Sequence, residues 1–175
     1  VNAYVHHKNL RDTTNYKIVV LLYHQIKPEY NKNYFNTSMC LETFKKQIIY
    51  FKKNFYICSN INEIFNSNIQ EKIRVVITFD DACIDNYLYA FPFLKEIGLK
   101  AFFSLPTKYI EYQKPLWDYE IIEILNNYEG NIKFKEKKEN IFFDRSKMGK
   151  KNFQINLINY LKYKTFAERE NLINQ

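Results

Sequence analysis

The stretch Val75-Val76-Ile77-Thr78-Phe79 runs straight into Asp80 and Asp81. An unbroken β-type apolar run of this kind marks a strand buried on both faces, the usual state in a parallel sheet. Parallel strands need a crossover, and the next residues supply one. Asp85 and Asn86 open a helical stretch, Tyr87 to Ile97. Its apolar residues Tyr87, Phe91, Leu94 and Ile97 recur at helix spacing. Pro92 lies inside it and either bends the helix or marks a late start. Gly98 stops the helix. Leu99 to Leu105 then reads as a second buried strand, ended by Pro106. Strand, carboxylate turn, helix, glycine and strand make a βαβ unit, so the fold class is α/β.

Two aspartates at the exit of a buried strand sit at the carboxyl edge of the sheet, where α/β folds place their chemistry. Adjacent carboxylates repel, and one is costly unless a cation or proton neutralises it. The economical arrangement is one Asp on a metal and its neighbour free to act as a base. The plainer alternative is that an aspartate after a strand caps the next helix. A second apolar run, Ile18-Val19-Val20-Leu21-Leu22, ends in Tyr23 and His24. If this strand runs parallel to the first, His24 reaches the same sheet edge as Asp80 and Asp81. There it could orient a carboxylate, contact substrate or help with a metal, or simply pack at a strand end.

Three segments taken together resemble a known family. They are Leu22-Tyr23-His24-Gln25-Ile26, then Thr78-Phe79-Asp80-Asp81-Ala82-Cys83-Ile84-Asp85-Asn86, then Ala90-Phe91-Pro92-Phe93-Leu94 through Gly98 to Phe103. In order, spacing and chemistry they resemble polysaccharide deacetylases of the NodB-homology type, carbohydrate esterase family 4. The likeness is clear from about Ile18 to Tyr109 and faint beyond, where Pro115-Leu116-Trp117-Asp118 looks like a segment some members carry. The resemblance implies a distorted (β/α) barrel and metal-dependent hydrolysis of an acetyl group on a saccharide. It implies Asp80 as the general base and Asp81 as a metal ligand, usually for zinc. His24 and Tyr23 would contact substrate or support those groups from behind. A Lewis acid that polarises the carbonyl and a carboxylate that takes a proton from water suit this hydrolysis. A bacterial protein is implied, with cytoplasm and cell envelope both left open, as are the sugar, the metal and the oligomeric state.

Two departures stand out. Ala82 replaces the glycine that follows the aspartates in the family, a position where glycine permits unusual dihedrals. More seriously, the family's remaining metal ligands come from a later His-x-x-x-His motif. This chain has three histidines, His6, His7 and His24, and none after residue 24. His6 and His7 lie in a polar N-terminal stretch expected to fray. Cys40, Cys58 and Cys83 have no metal-ligand spacing and no disulfide framework. Asp81 with His24 falls short of the three protein ligands of catalytic zinc.

The remainder reads as follows. Lys27 to Asn36 is a polar loop, and Leu41 to Phe51 an amphipathic helix with Phe44, Ile48 and Phe51 inward. Residues 117–127 form a helix with Trp117, Ile121, Ile124 and Leu125 on one face. Asn131 to Lys135 and Asn140 to Asp144 read as a hairpin inserted in the barrel. Phe153, Leu157, Tyr160 and Leu161 mark a further helix. Thr165-Phe166-Ala167-Glu168 resembles a capping box opening a final one. The expectation is one domain over 1–175, with 1–16 poorly ordered: a partial deacetylase barrel truncated at its C-terminus, with the site incomplete and the piece by itself inactive.

A length of 175 residues suits one domain with a real core. No apolar run is long enough to span a membrane. The net charge of +7 raises a rival reading. Lys133, Lys135, Lys137, Lys138, Lys147, Lys150 and Lys151 cluster with Phe134, Phe142 and Phe143, which could contact nucleic acid. Such a surface would equally attract an anionic polysaccharide or lipid headgroup, and no nucleic-acid motif accompanies it, so no nucleic-acid partner is expected. Magnesium-dependent phosphoryl chemistry lacks a glycine-rich phosphate cradle. A vestigial relative that binds carbohydrate without catalysis is the main alternative.

Overall fold

A computed structural model describes residues 16–29, 37–66, 68–113, 115–136 and 139–173. The chain divides into two compact units, Val1–Thr107 and Lys108–Gln175. The N-terminal stretch, with His6 and His7, lies outside the described residues except for Tyr16, as does most of the loop read over Lys27 to Asn36.

The first unit is built on a parallel sheet. Strand β1 (Lys17–Tyr23) leads into two short strands, β2 (Gln25–Lys27) and β3 (Ser38–Cys40), which pair with each other. Helix α1 (Leu41–Asn54) follows, then β4 (Tyr56–Ile57), α2 (Ile61–Phe65) and β5 (Ile73–Phe79). A π-turn (Asn86–Ala90) and helix α3 (Phe91–Glu96) cross over to β6 (Phe102–Phe103). Strand β5 is central. It pairs parallel with β1 along its length, from Lys17↔Ile73 to Tyr23↔Phe79. Its other edge takes β4 at the start and β6 at the end, both parallel. The apolar run is buried on both faces as such a position requires: Val75, Ile77 and Phe79 are wholly buried and Val76 nearly so. Phe44 and Ile48 of α1 close one side, with Tyr23, Phe44 and Phe79 in mutual ring contact at 5.0 to 5.8 Å. Strands β1, β4, β5 and β6 form an open parallel sheet, separate from the β2–β3 pair.

The crossover differs from its expected periodicity. Tyr87 and Phe91 were read as inward, yet they are 65 % and 43 % exposed, while Asn86, Ala90, Phe93 and Leu94 are buried. The reason is the π-turn. The Phe91 N–H reaches back to the Asn86 carbonyl, so one extra residue enters the turn and the face rotates. Pro92, which has no N–H to give, follows directly at the start of α3. Lys52 of α1 donates to the Ile97 carbonyl at 2.7 Å and closes the other end of α3. The second strand is also shorter than the apolar run Leu99 to Leu105, because only Phe102 and Phe103 pair with β5.

The crossover is pinned at its start by Asp85, 4 % exposed. One carboxylate oxygen accepts from the Ile26 N–H at 3.2 Å, and the other meets the Lys27 ammonium at 2.7 Å. Asp85→Ala is expected to cost about 2–4 kcal/mol, because it leaves a buried N–H and a half-buried ammonium without this carboxylate. A urea midpoint unchanged from wild type would contradict that role.

The second unit has its own apolar cluster, Ile121, Leu125, Phe134, Phe143, Phe153, Leu157, Leu161 and Leu172. It comprises α4 (Thr107–Glu111) from Lys108 onward, α5 (Trp117–Asn127), an antiparallel hairpin of β7 (Ile132–Glu136) and β8 (Glu139–Phe143), α6 (Arg145–Lys162) and α7 (Phe166–Ile173). Phe134, Phe143 and Tyr160 meet at 5.5 to 6.2 Å. Ile124, read as inward, is 45 % exposed; Ile121 and Leu125 carry that face. Asp144 caps α6, accepting from the Ser146 and Lys147 N–H groups. The Ser146 hydroxyl, first among these contacts, holds its carboxyl below the usual range. The capping box at α7 is formed: Thr165 N–H donates to Glu168 at 2.9 Å and Glu168 N–H to Thr165 Oγ1 at 3.3 Å.

Candidate active site

The parallel register of β1 and β5 decides which side chains share the sheet edge. Tyr23 lies beside Phe79, and the ladder continues one step further, with Asp80 N–H donating to the Tyr23 carbonyl at 2.9 Å. The residues that leave these two strands therefore emerge together: His24 from β1, Asp80 and Asp81 from β5. Thr78 Oγ1 donates to the Leu21 carbonyl at 3.0 Å and fixes the same pair of strands two residues below. Asp81 then turns back, and its carboxylate Oδ2 comes to 3.9 Å from His24 Nε2. Both side chains are partly open, 27 % for His24 and 29 % for Asp81. The structure thus brings together a histidine and a carboxylate that are 57 residues apart in sequence, at the mouth of the sheet.

Tyr23 is turned the other way. Its side chain is buried, and its hydroxyl donates to Gln47 Oε1 at 3.1 Å. Burial pushes the phenol up from its ordinary value, so it stays protonated through any working pH. It stands under the site, packed against Phe79, and supports the strand ends that carry His24 and Asp80. Gln47, on α1, gave no signal in the sequence; its place in the site's support appears only through this hydrogen bond. Asp85 was read as a helix opener, and its bonds to Ile26 and Lys27 tie the chain just beyond His24 to the crossover just beyond Asp81.

The turn itself is strained. Asp81 has φ of 71° and Ala82 φ of 49°. Left-handed backbone costs a residue with a Cβ about 1–2 kcal/mol, and glycine escapes that cost. This is the physical content of the alanine that stands where the family motif has glycine. Ala82→Gly is expected to stabilise the protein by about 0.5–1 kcal/mol, the relief being partly offset by the freer unfolded chain. A thermal melt checks it, and a lower melting temperature for the glycine variant would contradict a strained turn.

Among the described residues no three His, Cys, Asp or Glu side chains form a metal-binding group. Asp81 and His24 supply two candidate ligands. Catalytic zinc centres use three protein ligands and keep one position open. The described residues therefore do not by themselves fit a zinc ion. Cys58, directly after β4, is buried, which raises its thiol above the ordinary value, and Cys83 is half-buried beyond the turn.

No protein-family model matches the chain, and no curated protein sequence matches it significantly. Solved structures do. IcaB from Ammonifex degensii is 25 % identical over 50 % of this chain and 37 % of its own, with a TM-score of 0.41. The Streptococcus pyogenes deacetylase PplD, solved in complex with acetate, is 26 % identical over 65 % of this chain and 54 % of its own, with a TM-score of 0.49. BC0361, a polysaccharide deacetylase from Bacillus cereus, is 22 % identical over 63 % of this chain and 36 % of its own, with a TM-score of 0.43. The chain spans between about a third and just over a half of these relatives' lengths. Polysaccharide deacetylases are thus among the solved structures it is similar to. No helix among the described residues is long and apolar enough to cross a membrane.

Proposed function

We propose that this chain carries the carboxylate half of a saccharide deacetylase site, on part of a (β/α) barrel. The observation that carries the reading is the convergence of Asp80, Asp81 and His24 at the end of two parallel strands, with His24 Nε2 3.9 Å from Asp81 Oδ2. The residues match the deacetylase motif in order and spacing, and the pairing explains why that motif needs its Tyr-His strand and its Asp-Asp strand side by side. In this reading Asp80 is the general base. It takes a proton from water as the water oxygen bonds to the acetyl carbonyl carbon, and the proton later leaves with the sugar amine or hydroxyl, releasing acetate. Asp81 is the carboxylate that would face a divalent metal, with His24 beside it and Tyr23 packed beneath. A metal bound there would supply Lewis acidity. Two ligands do not complete a zinc centre, so a zinc ion there would need further ligands beyond the described residues.

The division of roles between neighbouring carboxylates is testable. Titration of zinc or cobalt into the protein as its source makes it should show weaker binding in Asp81→Ala and His24→Ala, by about tenfold or more. Asp80→Asn should bind metal as wild type does. Equal metal loss in all three variants would contradict the assignment.

The short ligand set favours one second reading, a non-catalytic domain that binds an acetylated saccharide in the same mouth. That protein would bind acetylated oligosaccharide and release no acetate from it.

A further inference from the structure

The chain's positive charge is concentrated in one short segment of the second unit. Residues 131–151 hold eight lysines and arginines against three acidic residues, a net of +5 out of +7 for the whole protein. The hairpin shows how part of this charge is displayed. Phe134 and Phe143 turn inward to Tyr160, so Lys133 and Phe142 beside them face out. Lys133 and Phe142 are direct cross-strand partners on that outer face. Phe142 is 55 % exposed, although its neighbour Phe143 is buried in the unit's core. Arg145 begins α6 at the same corner, its N–H donating to Asn131 Oδ1 at 2.8 Å. Lys147, Lys150 and Lys151 follow, all exposed. Two of these cations have local partners: Lys147 lies 3.7 Å from Asp144, and Lys150 donates to the Asn126 carbonyl at 3.4 Å.

We propose that the outer face of the β7–β8 hairpin, with the start of α6, docks an acidic polysaccharide. Charge complementarity selects the class of partner: a surface with a strong excess of ammonium groups attracts a polymer of carboxylates or phosphates and raises its local concentration. Lysines act as point charges and suit repeating anions without fixed geometry. The outward ring of Phe142 offers a flat apolar face, which the C–H face of a pyranose can cover. Sequence-tolerant nucleic-acid grooves present successive aromatic platforms, and among the described residues of this face Phe142 is one ring. The choice of a sugar polymer rests on the saccharide reading of the first unit; the charge and exposure of the surface do not.

Fluorescence anisotropy with labelled oligogalacturonate tests the surface in the intact protein. Wild type should bind at low salt, with affinity falling about tenfold for a fourfold rise in salt, as for two or three displaced counterions. The triple variant Lys133→Glu, Lys147→Glu, Lys151→Glu should lose binding by at least about tenfold. Phe142→Ser, which keeps every charge, should weaken it less but measurably, with circular dichroism unchanged in both. Absence of binding at low salt, or equal affinity in the triple variant, overturns the proposal. So does tighter binding of a length-matched DNA oligonucleotide or of anionic phosphatidylserine vesicles. Asp80→Asn should bind the polymer as wild type does. Polymer binding without acetate release would overturn the deacetylase reading alone, and acetate release without polymer binding would overturn this one alone.

Discussion

Arg74→Met is expected to destabilise the protein by about 3–5 kcal/mol, because several carbonyls lose hydrogen bonds from a charged donor, each worth about 1.5–3 kcal/mol at most. Arg74 is wholly buried within β5, an unusual place for a guanidinium. It is held there by carbonyls. One terminal nitrogen donates to Glu63 O at 3.3 Å and Ile64 O at 2.8 Å; the other donates to Asn66 O at 2.7 Å and Ile69 O at 2.8 Å. These are the last carbonyls of α2 and those of the loop that leads into β5, groups that a helix end leaves without partners. The Tyr16 ring lies 3.6 Å from the guanidinium carbon. Methionine keeps most of the volume and none of the donors, so four carbonyls lose their bonds together. Lysine should recover only part of the loss, because three donors on one nitrogen cannot reproduce the planar fork. Urea unfolding measures both variants. A methionine variant within about 1 kcal/mol of wild type would show that the loop does not depend on this side chain.

Asp80→Asn is expected to lower acetate turnover by about 10²–10⁴-fold, the usual contribution of a positioned general base. The substitution keeps the shape of the side chain and removes its basicity. Its backbone N–H, bonded to the Tyr23 carbonyl, is untouched. Metal affinity and melting temperature should therefore stay near wild type, and the loss should appear in kcat. A variant that instead loses stability in step with activity would make Asp80 a structural residue.

The legible part of this protein is the part ruled by local pattern. The unbroken apolar run 75–79 predicted a central parallel strand, and β5 is that strand. The Tyr-His ending of the first run predicted that His24 would reach the aspartates, and the register delivers it. The capping box at Thr165 was readable because it is only four residues long. What stayed hidden depends on partners distant in sequence or on a break in period. Helical spacing placed Tyr87 and Phe91 inward, but the π-turn inserts a residue and turns them out. An arginine between Ile73 and Val75 gives no sign that its donors are owed to a loop five to eleven residues upstream. Ala82 could be flagged as a replaced glycine, whereas its left-handed φ required coordinates. In the site, the strand ends that bring His24 beside Asp81 were readable from sequence. The hydrogen bond from Tyr23 to Gln47 and the tie from Asp85 to Ile26 were not, because each joins elements whose packing no local pattern encodes.

The central claim is that Asp80 and Asp81 perform saccharide deacetylation. Acetate release from an N-acetylated oligosaccharide tests it most directly. The protein as its source makes it should be assayed beside Asp80→Asn, with and without a chelator. Wild type should release acetate, the chelator should stop it, and Asp80→Asn should release it at least about a hundredfold more slowly. No release by wild type, or equal release by the two proteins, would contradict the account.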